Sequence, residues 1–338
     1  MSKNGDTKNR LLIEASPHLR EPDSISKIMW SVVVALAPAI AMSIYFFGFR
    51  ALVLYIASIA TAVVAEILCL QMRGKPLSDA SDGSAVVTGL LVAMILPPGS
   101  PLYCVVVASL FAITIAKHCF GGLGHNIWNP ALAGRIFVQF AYPTEISKSE
   151  WLVPRMLFPG GNIDAMTQAS PLAEGGGGFS PDYFDLFFGN GISGSLGETC
   201  KLALLIGGIY LIIRNRVDWR VPLFYIGTVF VLTAFLPASK SAPAWINDPL
   251  YHILSGGLFI GAFFMATDMV TTPVTPTGRI IFALGCGTFV ALIRLYGGYP
   301  EGVAYSIIIM NTATPLIDRW VRPRIYGSRS PETANKQS

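Results

Sequence analysis

Residues 28–48 read IMWSVVVALAPAIAMSIYFFG, and residues 51–72 read ALVLYIASIATAVVAEILCLQM. The first run holds no charged side chain, and the second holds one, Glu66. A bilayer core takes about 20 apolar residues of helix, so each run predicts one crossing. Working outward, clear apolar runs recur at 102–118, 202–213, 221–237 and 280–295. Four more, at 84–97, 127–143, 252–267 and 301–317, are interrupted by Gly, Pro or a polar residue. Nothing alternates with period two, which excludes barrel strands, and a helix satisfies its own backbone in hydrocarbon. The expected fold is an all-α integral membrane protein of about ten transmembrane helices.

Composition agrees. Charged residues are 13% of the 338 and apolar residues 52%, with a mean hydropathy of +0.55. A soluble domain carries about 25% charge to solvate its surface. Disorder, collagen, a disulfide scaffold and a nucleic-acid-binding domain are excluded as descriptions of the whole. The net charge of +4 is too mild to imply an anionic partner. Cys69, Cys104, Cys119, Cys200 and Cys286 lie far apart without a C-x-x-C, which argues against a locally encoded zinc or Fe–S site. Residues 1–27 are polar and hold no apolar signal-peptide core.

Lys and Arg orient the spans. With the N-terminus cytoplasmic, seventeen basic residues fall in inner segments and six in outer ones, with Arg135 inside a span. Both termini are therefore expected in the cytoplasm. The expected segments are a cytoplasmic stretch 1–27, five helices over 28–143, and an external loop over 144–195. A second set of five helices follows over 196–318, with a cytoplasmic tail over 319–338.

The halves echo each other. Gly121-Gly122-Leu123-Gly124 resembles Gly297-Gly298-Tyr299-Pro300 at an offset of 176, and Thr88 to Met94 resembles Ile260 to Ala266 at an offset of 172. Ser84 and Ser255 open the latter two runs. Five spans per half is an odd number, so the second repeat lies upside down relative to the first. The expectation is an inverted repeat with broken third and eighth helices, where transporter-like folds keep their sites. Small residues that only let helices pack closely are the alternative for any single glycine.

Ionisable residues within spans are costly and mark function. The candidates are Glu66, His118, Arg135, Asp268, Arg294, Glu301 and Asp318. Placement near span ends explains Arg294 and Asp318 by snorkelling or an interface. Glu66, Asp268 and Glu301 remain as candidate ion-coupling acids, and Arg135 as a partner for a buried acid or an anionic ligand. The external loop holds Asp164-Ala165-Met166-Thr167-Gln168-Ala169-Ser170-Pro171, which by itself reads as a turn or helix cap.

Several motifs in combination carry a resemblance: Ala15-Ser16-Pro17-His18, Asp82-Gly83-Ser84, Gly121-Gly122-Leu123-Gly124-His125-Asn126, Asn129-Pro130-Ala131, Ala266-Thr267-Asp268, and Gly297-Gly298-Tyr299-Pro300-Glu301-Gly302. Over about residues 14 to 329 the chain resembles the family of NqrB and RnfD subunits, and its length suits the RnfD branch. The resemblance implies a membrane subunit, not an enzyme alone, of an ion-translocating ferredoxin:NAD+ oxidoreductase in the inner membrane of a prokaryote, moving Na+ or H+. It implies FMN joined through its phosphate to a loop hydroxyl in a pattern like D-x-x-[ST]-x-A-[ST]. Asp164, Thr167 and Ala169 match that pattern, and Ser170 stands at the acceptor position where the family has threonine. It further implies a second, non-covalent flavin (riboflavin or FMN) and a flavin transferase for maturation. The implied partners are the A, B, C, E and G subunits of an Rnf-type complex, with ferredoxin and NAD reached through them. The rival readings are an NqrB-like component of a quinone-reducing sodium pump and a non-redox solute channel or transporter.

Overall fold

The computed structural model describes residues 23–148, 183–189, 194–236, 248–297 and 301–322. Among these the chain is helical, with no strand. The helices are α1 Ile25–Phe47, α2 Phe49–Met72, α3 Ser84–Ile95, α4 Leu102–His118, α5 Pro130–Ala141, α6 Pro143–Lys148 and α7 Tyr183–Phe188. There follow α8 Lys201–Ile213, α9 Arg220–Phe235, α10 Pro249–Leu254, α11 Leu258–Ile260 with its extension Gly261–Met265, α12 Pro276–Tyr296 and α13 Val303–Trp320. Of these α1, α2 and α12 are long and apolar enough to cross a membrane by length and composition. The chain is a multi-pass membrane protein.

Local chemistry sets the ends. Ser24 caps α1 by accepting from the Lys27 N–H, and Gly48, at φ 66°, turns the chain from α1 into α2 in a conformation that only glycine adopts freely. Asn129-Pro130, Asp248-Pro249 and Thr275-Pro276 each start a helix in one way: a side-chain oxygen accepts an early N–H, and proline fills the first turn, where its missing N–H costs nothing.

Two helices are interrupted. Helix α3 stops after twelve residues, because Leu96 turns extended ahead of Pro97-Pro98. Its open carbonyls are met by another segment: the Leu196 N–H donates to Leu96 O at 3.2 Å and the Gly197 N–H to Met94 O at 2.7 Å. Helix α10 stops at Leu254, the chain passes through Ser255-Gly256-Gly257, and α11 resumes at Leu258, finishing in wide π turns. Buried in an apolar medium, backbone groups left open at such breaks must find partners.

Packing is close where side chains are small. Helix α1 lies against α8, with Gly207 so near that an added Cβ would fall 2.0 Å from Ala35 O. Ser58 of α2 donates to Gly89 O of α3 at 2.6 Å and bonds Ser109 of α4 at 2.8 Å. These are the small-residue contacts and interhelical hydroxyl bonds that replace hydrophobic drive inside lipid. Among the described residues near the expected external loop are α6 and α7; α7, with Phe184, Phe187 and Phe188, buries Leu186, and Tyr183 donates to Asp248.

Candidate functional site

Two buried charged clusters lie at different ends of the helices. The first is built from α2, α3 and α4. Glu66 sits on α2, and Lys117 Nζ donates to Glu66 Oε1 at 2.8 Å and to Ser84 Oγ at 2.8 Å. His118 Nε2 lies 3.0 Å from Glu66 Oε2. On the other side of the ring, Arg73 Nη1 lies 3.2 Å from His118 Nδ1. Arginine has no acceptor, so Nδ1 accepts from Arg73 and Nε2 carries the hydrogen that faces Glu66. Asp82 Oδ1 in turn accepts from the Ser84 N–H and hydroxyl, at 2.7 and 2.6 Å. The side chains of Glu66 and Lys117 are only 5% and 2% exposed. The last seven residues of α4, Ala112–His118, widen into π turns, a departure from α geometry that recurs at functional sites.

Asp268 belongs to this same end. It follows α11 directly and closes a local turn, where its carboxyl accepts from Thr271 Oγ1 at 3.3 Å. It lines one small cavity together with Ser84, Thr88, Lys117, Asn126 and Asn129. A larger adjoining cavity of about 440 Å³ is lined by Glu66, Arg73, Asp79, Asp82 and His118.

The second cluster joins α5, α8, α12 and the residues before α13. Arg135 Nη2 donates to Glu301 Oε2 at 2.5 Å, and its Nη1 lies 3.8 Å from Glu198 Oε1. Glu198 stands in the segment that caps α3, only 2% exposed. Lys201, also 2% exposed, donates to the backbone carbonyl of Glu198 rather than to a carboxylate. Arg294 donates to His252 O at 2.5 Å and Ser255 O at 3.2 Å. These are carbonyls at the end of α10, where a cation is favoured by the helix dipole. The side chain of Glu198 reaches the other edge of the same break, since a Cβ on Gly257 would fall 2.6 Å from Glu198 Oε1.

Of the three acids chosen from sequence, the fold brings Glu66 and Asp268 to one end and Glu301 to the other. Arg135 pairs with a buried acid, as one of its expected roles required. Arg294 differs from expectation. It does not snorkel from a span end but turns inward to the α10 carbonyls, because the break leaves them open. Asp318 keeps its plain role and accepts from the Val274 N–H at 3.1 Å. Sequence reasoning missed Glu198, Lys117 and Lys201. The two lysines were counted as loop charges, yet both are buried; removing one from each side leaves the charge asymmetry intact. Ser170, Asp164, Thr167 and Ala169 lie outside the described residues.

Between α8 and α9, Asp218 accepts from Arg279 Nη1 at 2.9 Å and from Arg220 Nη1 at 3.2 Å. Partial burial pushes its carboxyl up, but the Arg220 N–H and the two guanidiniums outweigh this and hold it below the usual carboxylate range. Arg216 forks onto Asp23 at 2.5 and 2.8 Å, tying the start of α1 to the end of α8.

Residues 12–327 match the family described as NQR2, RnfD, RnfE. The D subunit of a proton-translocating ferredoxin:NAD(+) oxidoreductase complex from Clostridium ljungdahlii is 46% identical, over 95% of this chain and 98% of its own length. The D subunit of a Na(+)-translocating ferredoxin:NAD(+) oxidoreductase complex from Acetobacterium woodii is 44% identical, over 94% and 95%. The D subunit of an ion-translocating oxidoreductase complex from Stutzerimonas stutzeri is 38% identical, over 90% and 92%. With its family match over residues 12–327 and relatives 44–46% identical over nearly their whole length, the chain belongs to the NQR2, RnfD, RnfE family.

Proposed function

We propose that this chain is the D-type membrane subunit of a complex that couples electron transfer between ferredoxin and NAD+ to ion translocation across a prokaryotic inner membrane. The observation that carries the reading is near-complete, end-to-end similarity to the D subunits of two such complexes. The buried charge clusters support it, because ionisable groups inside a membrane fold are expensive to keep and mark functional sites. One of those relatives is named for protons and the other for sodium, at nearly equal identity, so the reading names the coupling and leaves the ion open. Glu66, Asp268 and Glu301 are its ion-coupling acids. Neutralising each in turn is expected to impair ion uptake into vesicles before it impairs assembly.

The same reading holds ten crossings in two inverted five-helix repeats, with both termini cytoplasmic. What supports the inversion is a matched contact. Lys117 at the end of α4 bonds Ser84, and Arg294 at the end of α12 bonds Ser255 O; Ser84 and Ser255 open the two echoing runs. Reporter fusions at Gly176 and after Tyr326 are expected on opposite sides of the membrane.

FMN on Ser170 is part of the proposal. A flavin supplies the one- and two-electron chemistry that no side chain offers, and the Ser170 hydroxyl would supply the ester oxygen. In this reading a flavin transferase would recognise Asp164, Thr167 and Ala169 beside the Ser170 acceptor. For a second, non-covalent flavin, the 440 Å³ cavity fits in size. Arg73 would donate to a ring carbonyl, Asp79 or Asp82 would accept from a ring N–H, and Leu70, Leu123 and Met269 would give apolar walls. The A, B, C, E and G subunits would carry electrons to and from this chain.

Denaturing electrophoresis of the purified complex tests the flavin directly. A fluorescent band at the mass of this chain is expected, lost in Ser170→Ala and kept in Ser170→Thr. Peptide mass mapping with the adduct on Thr167, or with none on residues 164–172 of active complex, would overturn the assignment.

A further inference from the structure

The segment Ser195–Lys201 joins both interrupted helices. Its Leu196 and Gly197 N–H groups cap α3, and its Glu198 carboxyl rests on the Gly257 backbone where α10 gives way to α11. The carboxyls of Glu198 and Glu301 converge on one guanidinium, with Arg135 Nη1 3.8 Å from Glu198 Oε1 and Nη2 2.5 Å from Glu301 Oε2. Two buried carboxylates that share one arginine repel each other, and a single proton on the pair removes that repulsion. Around the pair, Glu198 Oε1, Glu301 Oε1, Ser195 Oγ and Ser255 Oγ are buried and without a hydrogen-bond partner among the described residues. Ser195 and Ser255 are fully buried. Arg135 closes on Glu301 alone, at 2.5 Å, and stands off Glu198 at 3.8 Å. A buried polar cluster left this incomplete is costly where an apolar one would pack.

We propose that Glu198 and Glu301 hold one proton between them, forming an exchangeable proton-binding site at the break between α10 and α11. The charged or titratable groups around it are Arg135 from α5, Cys200 and Lys201 at the start of α8, Arg294 from α12 and Tyr305 from α13, and His252 of α10 lends its carbonyl to Arg294. Exchange is acid–base only. The protonated pair gives one proton to water and becomes two carboxylates facing Arg135, and no electrons move. The proposal deepens the functional reading, on which it rests, by naming a group through which charge would enter or leave the bundle.

The test is modification of the intact complex in membranes by dicyclohexylcarbodiimide, which reacts with protonated carboxyls in apolar surroundings, located by peptide mass. Adducts are expected on Glu198 or Glu301, falling about tenfold per pH unit above the midpoint, as one proton requires. In Glu198→Gln, which keeps the shape and a hydrogen-bonding amide, Glu301 would lose its adduct too, because it then pairs with Arg135 as a plain carboxylate. A purely structural pair would not show that reciprocal loss. Labelling that is independent of pH, two acids that label independently, protection by sodium ions rather than by alkali, or no adduct on either acid would overturn the proposal. Ferredoxin-dependent NAD+ reduction is read on the same membranes. If it does not depend on this chain while the labelling pattern holds, the proton site stands and the functional reading falls.

Discussion

Glu66 and Glu198 are both carboxylates buried among cations, but they are held by different means. Glu66 Oε1 accepts from Lys117 at 2.8 Å, Lys117 is anchored again by Ser84, and His118 Nε2 stands 3.0 Å from Oε2 without a formed hydrogen bond. Glu198 has Arg135 only at 3.8 Å, its neighbour Lys201 turns to a backbone carbonyl, and it shares that arginine with a second acid, Glu301. The first arrangement is anchored by a close ion pair. The second stays open to a proton. The contrast teaches that burial alone does not mark an exchange site; the count of partners does.

The largest effect is expected where the pair is closed. Lys117→Ala would leave Glu66 buried without its strongest partner, a loss of about 3–5 kcal/mol, read by thermal unfolding in detergent. Replacing both, Glu66→Leu with Lys117→Met, is expected to recover most of that stability, because an apolar pair removes both desolvation costs. A double variant no better than the single one would mean that the cluster is needed for packing beyond its charge.

Next comes Gly257→Val, which forces atoms against Glu198 Oε1 from a Cβ position 2.6 Å away. Overpacking of this kind costs about 1–3 kcal/mol, and the disturbance should reach the Glu198 end while leaving the Glu66 end unchanged by hydrogen exchange. Glu198→Gln itself is expected to cost only about 1 kcal/mol, since no cation loses its sole partner. A cost matching that of Lys117→Ala would erase the distinction between the two ends.

How much of this was legible varies by the kind of signal. The apolar runs and their interruptions are local, and a residue pattern carries them. Glu66 stood out because a charge in an apolar helix has no local reason to be there. Glu198 and Lys201 lay next to a polar loop, so nothing in the pattern separated them from solvated charges. Their surroundings are set by Arg135 and by Glu301, the latter more than a hundred residues away in the chain, and tertiary packing alone brings them together. The inward turn of Arg294 was hidden for a related reason, since it depends on carbonyls that open only where α10 breaks.

The smallest effect is expected at the surface, in the Asp218 network. Its carboxyl is held below the usual range, so its contribution is fully present above the unfolded value near 4 and is lost as pH falls through the lowered folded value. Asp218→Asn is expected to remove about 0.2–1 kcal/mol at neutral pH and nothing at strongly acid pH, read by unfolding midpoints across an acid titration. A variant effect that grows toward acid would contradict the pairing with Arg220 and Arg279.

The most direct measurement places the purified complex in sealed vesicles with reduced ferredoxin outside, adds NAD+, and follows NADH formation and the ion gradient together. The account expects both signals with the natural chain, and with Glu198→Gln it expects NADH formation to continue while the gradient collapses. NADH formation without a gradient in the natural complex, or normal pumping by Glu198→Gln, would contradict it.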